Sequence, residues 1–378
     1  MKLHVYSITS SLHDQNALAT AEKDFLSRIE SCGGFEFNFH GSDFSGYNSI
    51  ERNIIFIRTG GTEGFFKSLN LKGDVTLLST GFHNSLAASM EILAYLRMQG
   101  QKGRILHGTP ESIAADIREE KPSDFEPKCF LRPLTKVDFH LQRAGVIGKP
   151  SDWLIASQTD YTKARALLGI EIVDIPMEEL LSRLKFFKGD IRSFEGSMAV
   201  YSALKEIVKD FSLSALTLRC FDLLDSIHNT GCLALSKLNA EGIVAGCEGD
   251  IPAMISMMIA REMTNSSSFQ CNLSRITGDD LLFAHCTVPL DMVSSFTYDT
   301  HFESGIGTAI RGTIPMSQVM LYKVSPNLDM EVGIPAEIIA NPTENNLCRT
   351  QIVVRASNAS HYFLENPLSN HHIVCKRF

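Results

Sequence analysis

Glu248 is the residue on which chemistry would turn. It follows an apolar run, Ile243, Val244, Ala245, Gly246 and Cys247, and opens the triplet Glu248, Gly249 and Asp250. A carboxylate at the mouth of a buried strand is poorly solvated, which raises its pKa and suits it to proton transfer or to holding a divalent cation. The plain alternative is that Glu248 caps or bridges something structural. Asp250 precedes Ile251 and Pro252, where Asp favours capping a helix N-terminus over a chemical role. Further candidates stand in the last third of the chain. His285 in LLFAHCTVP reads as a satisfied core histidine or as a ligand, and His301 in YDTHFESGIGTAIRG as a cleft-facing group or a loop residue. Asn370, His371 and His372 form SNHHIV close to the C-terminus. A Glu with neutral imidazole and an amide nearby makes an open site for Mn²⁺ or a similar ion. Arg58, Arg219 and Arg311 are candidate anion contacts, with ion pairing as the alternative.

These residues need elements to position them. The run before Glu248 reads as a buried strand, followed by a sharp turn, a Met-rich helix and a second short strand at Phe269 to Asn272. In a parallel sheet this unit would bring Glu248 and Asn272 together at the carboxyl ends of the strands. Upstream, Lys2 to Ile8 forms a strand ending in polar Thr9, Ser10, Ser11 and His13. A helix at Asn16 to Cys32 and strands at Phe35 to His40 and Asn53 to Ile57 follow. Val75 to Ser79 and Arg104 to His107 are further strands, separated by an amphipathic helix over Ser85 to Gln99. Between them Gly60 to Gly64 makes either a plain tight turn or part of a polar cleft. Residues 109 to 140, with Pro110, Pro122, Pro127 and Pro133 among charges, read as a crossing between domains.

A second alternation begins at Ala144, with helices at Tyr161 to Leu168, Glu178 to Leu184 and Ser197 to Lys209 and strands at Glu171 to Asp174 and Leu216 to Cys220. Beyond Asn272 the helical pattern stops and five strand-like segments follow, as in an antiparallel barrel or sandwich. The expected fold is α/β: two Rossmann-like α/β domains with parallel sheets, residues 1–135 and 136–275, followed by a β-rich, barrel-like C-terminal domain, 276–378.

Composition narrows the function. With 44% hydrophobic and 21% charged residues over 378 positions, the chain is of soluble globular type. It shows neither a membrane-spanning run nor a secretory leader, so a cytoplasmic protein is expected. Nine scattered cysteines without a CxxC pair argue against a disulfide framework or a structural zinc site. A formal net charge of -8 without Lys/Arg clusters disfavours nucleic acid and points to a small polar molecule. The loop Gly60 to Gly64 matches neither GxGxxG nor GxxxxGK[ST], which disfavours a nucleotide-dependent oxidoreductase.

At GGTEG, HNSLAASMEILAYL, GVIGKPSDWLIAS, LRCFDLL, GIVAGCEGD, LLFAHCTVP and SNHHIV the chain resembles the L-fucose/L-arabinose isomerase superfamily, especially its shorter L-fucose isomerase-like members. GCEGD and NHH carry most of that likeness. The resemblance implies a metal-dependent aldose–ketose isomerase acting on a monosaccharide or modified sugar through a cis-enediol, with Mn²⁺ or another divalent metal. It also implies a homo-oligomer, a trimer or hexamer. By motif, Glu248, Asn272 and His371 would hold the metal, with Asn272 standing where the family has an acid. Glu248, Asn272 and Asp250 would be catalytic, and Asn370, His301, Arg219 and Cys247 would bind the sugar. The alternative is a catalytically impaired sugar-binding or regulatory homologue, since an amide does not exchange protons near neutral pH.

Overall fold

Short apolar runs alternate with helical spacing through the first two thirds of the chain, and each alternation closes into a parallel sheet. A computed structural model describes residues 1–10, 15–47, 52–119 and 130–378. Ser11, His13, Pro122, Pro127 and Cys129 lie outside the described residues.

The first unit comprises β1 (Lys2–Ile8), α1 (Gln15–Gly33), β2 (Glu36–Gly41), β3 (Asn53–Ile57), α2 (Glu63–Leu69), β4 (Val75–Ser79), α3 (Ser85–Met98), β5 (Gly103–Leu106) and α4 (Pro110–Glu119). Its sheet runs β2-β1-β3-β4-β5, all parallel. Period-two alternation splits its apolar residues between two faces. Leu3, Val5, Ile54, Phe56 and Leu106 pack with Ile29 of α1 and Ile113 and Ile117 of α4. Ile55, Ile57, Leu77 and Ile105 pack with Leu86, Met90 and Leu93 of α3. Helix α3 was expected to be amphipathic and is not: Ser85, Ser89 and Glu91 are buried along with its apolar residues. The reason is that barrel strands cover its other side, Phe269, Cys271 and Leu273 sharing its cluster.

A short strand, β6 (Leu131–Pro133), then leads into the second unit. This holds β7 (Gln142–Ile147), α5 (Tyr161–Leu168), β8 (Ile170–Ile175), α6 (Met177–Leu184), α7 (Phe194–Asp210), β9 (Ala215–Leu218), α8 (Asp222–Ile227), α9 (Cys232–Ala240), β10 (Val244–Cys247) and α10 (Ile251–Thr264). Its sheet is parallel in the order β10-β9-β7-β8.

The remaining elements are β11 (Phe269–Thr277), β12 (Asp280–His285), β13 (Ser295–Asp299), β14 (Ala309–Thr313), β15 (Gln318–Val324), β16 (Met330–Ala340), β17 (Thr350–Arg355), α11 (Ala359–Glu365) and β18 (His372–Cys375). The order β15-β18-β11-β12-β17-β16 closes on itself through β15–β16 pairing into an antiparallel barrel, and β6 adds to β16. β13 and β14 form a separate hairpin.

Two expectations fail here. Helices do not stop after Asn272, because α11 stands before the last strand. More important, the strand beginning at Phe269 is not a parallel neighbour of β10; it pairs antiparallel with β12 and β18 in the barrel. What joins it to β10 is a side chain. The Gln270 amide accepts from Cys247 N at 2.8 Å and donates to Cys247 O at 3.3 Å, satisfying the edge of β10 as a neighbouring strand would. Asn272, two residues further along the same face, is thereby carried to the mouth of β10.

Candidate active site

Glu248 sits directly after β10 with φ of 61°, and Gly249 follows with φ of 60°. Two successive left-handed residues turn the chain sharply from strand to helix. Only glycine fits at position 249, where a Cβ would stand 2.9 Å from Lys149 O and 3.0 Å from Ser151 N. Ser151 also donates its hydroxyl to Glu248 O, fixing the turn from the far side. Asp250 then caps α10 by accepting from Ala253 N at 2.8 Å. It does more than cap: its other oxygen lies 2.9 Å from His371 Nδ1, joining residues 121 positions apart.

His371 and His372 are separated by the pleat. Ile373 packs with α10 whereas Val374 packs inside the barrel, so adjacent residues of β18 face opposite ways. His372 is engaged at both nitrogens, by Tyr362 Oη at 2.8 Å and Asn370 O at 2.9 Å. Burial, with the neighbouring Lys323 charge, pushes it down to about 3, so it is a neutral structural histidine. His371 is the one turned to Glu248, its Nε2 being 3.5 Å from Glu248 Oε1. His285, at the end of β12, brings its own Nε2 to 3.6 Å from the same oxygen and holds Thr287 Oγ1 at 2.9 Å through Nδ1. Among the described residues, ligand atoms of Glu248, His285 and His371 all lie within 4.8 Å of one another.

The electrostatics of this floor differ from the expectation of a raised Glu248. Burial alone would raise its carboxyl, but the His371 and His285 imidazoles outweigh that and hold it well below the usual range. Burial works against charge on His371 as well, yet the Glu248 and Asp250 carboxylates push it up to about 10. Lys323, at 0% exposure, supports the arrangement from beneath. Its ammonium donates to His371 O at 2.5 Å and lies 3.9 Å from Asp250 Oδ2.

These residues fit a divalent cation. The Nε2 of His371 and the side-chain oxygens of Asn272 and Asn370 are buried without a hydrogen-bond partner. The outward nitrogens of His371 and His285 are each held by an oxygen, the support that metal-binding imidazoles usually have. One carboxylate, two imidazoles and an amide oxygen suit a first-row transition ion.

Above the floor opens a cavity of about 240 Å³ lined by Glu248, Asn272 and Asn370 from below. Ser10, Gly60, Gly61, Glu63, Asn84, Ala87 and Ala88 line it from the first unit, Trp153 and Phe221 from the second, and Glu303 from the loop before β14. The GGTEG segment is thus a cavity wall as well as the start of α2. Trp153 and Phe221 meet edge to face at 5.5 Å, giving the cavity an aromatic side. Arg219 does not line the cavity; it stacks on Trp153 at 4.6 Å and bonds Asp152 and Asp222, each at 3.0 Å. His301 lies behind Phe221, 5.8 Å between ring centres, and binds Ser304 Oγ at 2.9 Å. Cys247 is buried with its sulfur 3.2 Å from that of Cys220. Arg58 and Arg311 are ion-paired with Glu22 and Asp299.

Comparison with known proteins finds likeness in sequence. The chain is 23% identical over 226 residues to the sulfoquinovose isomerase of Alkalicoccus urumqiensis, covering 54% of this chain and 49% of that protein. It is 27% identical over 273 residues to the sulfoquinovose isomerases of Priestia aryabhattai and Priestia megaterium, covering 65% of this chain and 60% of each relative. The chain is similar to sulfoquinovose isomerases. It spans about half to three fifths of the length of these relatives, and no family model matches it. No described helix is long and apolar enough to cross a membrane.

Glu63, Glu303 and Glu91 were not singled out from the sequence, Glu63 entering only as part of the Gly60 to Gly64 segment. Glu63 begins α2 at 3% exposure; burial, with like charge from Glu91, Glu248 and Glu303, pushes it up to about 8. Glu303 accepts from Asn84 Nδ2 at 2.7 Å, and burial with the Glu248 charge pushes it up to about 7. Glu91, inside α3, lies outside the cavity and clamps its surroundings, accepting from Ala156 N at 2.7 Å and Asn370 N at 2.9 Å. A glutamate amid apolar helix residues was the one available hint.

Proposed function

We propose that the chain is a divalent-cation-dependent aldose–ketose isomerase acting on a monosaccharide or modified sugar through a cis-enediol. The observation that carries this reading is the convergence of Glu248, His285 and His371 under a cavity whose wall also holds Asn272 and Asn370. Glu248, His285 and His371 would hold the ion, with the Asn272 oxygen beside them, His285 entering this set from the geometry. A bound Mn²⁺ or similar cation would polarise the carbonyl and hydroxyl oxygens of the open-chain sugar. Trp153 and Phe221 offer apolar faces for the sugar carbons, while Asn84 and Asn370 offer amides to its hydroxyls. Asp250 fixes the tautomer of His371, and Arg219 and His301 brace the two aromatic walls. The relatives' name, sulfoquinovose isomerase, supports a sugar substrate, and the L-fucose isomerase-like resemblance supports the same chemistry and a homo-oligomer.

The test is conversion of L-fucose, L-arabinose and sulfoquinovose, followed by NMR with and without Mn²⁺, alongside thermal shift. Ion-dependent interconversion of one sugar is expected, with Glu248→Gln losing both turnover and the Mn²⁺-induced shift. Full turnover by that variant would refute the assignment. The second reading, a sugar-binding protein without turnover, is favoured by Asn272, an amide in the cavity wall whose oxygen is buried without a partner. Thermal stabilisation by a sugar that stays unconverted on long incubation would decide for it.

A further inference from the structure

Ketol isomerisation moves one proton between neighbouring carbons and another between their oxygens, so a cavity that performs it needs groups that exchange protons. The amides Asn84, Asn272 and Asn370 do not exchange near neutral pH. Glu248 faces His285 and His371 and, on the reading above, would hold the cation. Two carboxylates in the wall remain, Glu303 and Glu63.

Glu303 is held where a substrate would meet it. Its loop is pinned by His301 N to Ile306 O at 3.0 Å and Gly305 N to His301 O at 2.9 Å. Phe302 stacks with His83 at 6.1 Å and carries the Arg349 guanidinium over its ring at 5.8 Å. The carboxylate itself takes the Asn84 amide at 2.7 Å. Gly60 makes room for this pair: a Cβ there would stand 2.9 Å from Asn84 Cβ and 3.8 Å from Glu303 Oε1. Glu63, in the same wall, has a buried Oε2 with no hydrogen-bond partner.

We propose that Glu303 carries the proton between C1 and C2, and that Glu63 exchanges protons with the two sugar oxygens. The inference rests on the isomerase reading above. In the aldose-to-ketose direction Glu303 takes the C2 proton, and the electron pair of that C–H bond becomes the C1=C2 bond of the enediol. The carbonyl oxygen on C1 meanwhile accepts the Glu63 proton. Glu303 then returns its proton to C1, and the C2 carbonyl forms as its hydroxyl proton passes to Glu63. Both side chains end as they began, and nothing is oxidised or reduced from outside. The environment agrees: a carbon base works best with a pKa near the operating pH, and an oxygen acid must stay protonated there. Burial, the largest cause in each case, raises both carboxyls above the usual carboxylate range, the direction such exchange requires.

The experiment compares wild type, Glu303→Gln and Glu303→Asp as full chains loaded with Mn²⁺, using whichever of L-fucose, L-arabinose and sulfoquinovose the wild type converts. It reads kcat and KM, solvent-deuterium entry at C1 and C2 by NMR, and the sugar-induced thermal shift. Glu303→Gln should lose about 10²–10⁴-fold in kcat and in deuterium entry, the range for one general acid–base group, with KM and thermal shift little changed. Glu303→Asp should keep a few per cent of turnover, and it carries the test should the Gln variant not fold. An active Glu303→Gln enzyme within about tenfold of wild type, or one that still exchanges carbon-bound hydrogen, overturns this inference alone. A wild type that converts no sugar overturns the isomerase reading and this inference with it.

Discussion

Lys323→Met removes the buried cation beneath the candidate ion site while keeping most of the side chain's apolar bulk. Lys323, Asp250 and Glu91 all lie at 0% exposure. Burial lowers Lys323 even though both carboxylates attract it, and burial together with Asp250 already raises Glu91. Breaking a buried ion pair by deleting one partner costs about 3–5 kcal/mol, because a desolvated charge is left uncompensated. The loss of a donor to His371 O adds to this, while protonation of Glu91 limits it. We therefore expect destabilisation of about 3 kcal/mol at neutral pH. The pH dependence has a definite sign. A carboxyl whose folded pKa is raised binds more protons folded than unfolded, so its stability is lost as pH rises through that pKa. The deficit of the variant should therefore grow as pH rises above the ordinary carboxylate range, and Glu91→Gln on the same background should recover part of it. Trp153, the single tryptophan, reports on unfolding in urea from within the cavity wall. A deficit below about 1 kcal/mol at pH 8, or one that grows on acidification, would refute the reasoning.

Two further outcomes can be checked. Gly249→Ala forces a Cβ toward Lys149 O at positive φ; it should cost about 1–3 kcal/mol in urea titration and weaken the Mn²⁺-induced thermal shift. His107, bonded to Ser79 Oγ at 3.0 Å and taking Ile276 N at 3.1 Å, links the first sheet to the barrel, and burial pushes it down to about 4. A base with a lowered folded pKa stabilises the fold above its unfolded pKa of about 6.5 and loses that contribution as pH falls toward 4, so up to about 3 kcal/mol should disappear over that window. His107→Gln should flatten that part of the stability–pH curve.

The sequence by itself determined the local elements and the chemistry of individual positions. Tyr161–Leu168 stands as a helix at the residues its spacing marks, because Asp160 caps it and Gly169 ends it in a left-handed conformation, both local events. The same holds for Asp250 before Pro252, and for the alternation of strand and helix that builds two parallel sheets.

Only the tertiary structure decided which elements meet. The strand at Phe269 carries no signal for a barrel rather than a parallel sheet, since its residues are buried on both faces. The pairing is fixed by β12 and β18, the latter about a hundred residues away. His285 could be read as core or ligand until β12 ended beside Glu248, and the sign of the Glu248 shift depended on two imidazoles from distant strands. Glu63 and Glu303 gain their character from a cavity wall that three parts of the chain build together. Periodicity and capping act over a few residues and can be read from the chain, whereas convergence of charges is a property of closed space.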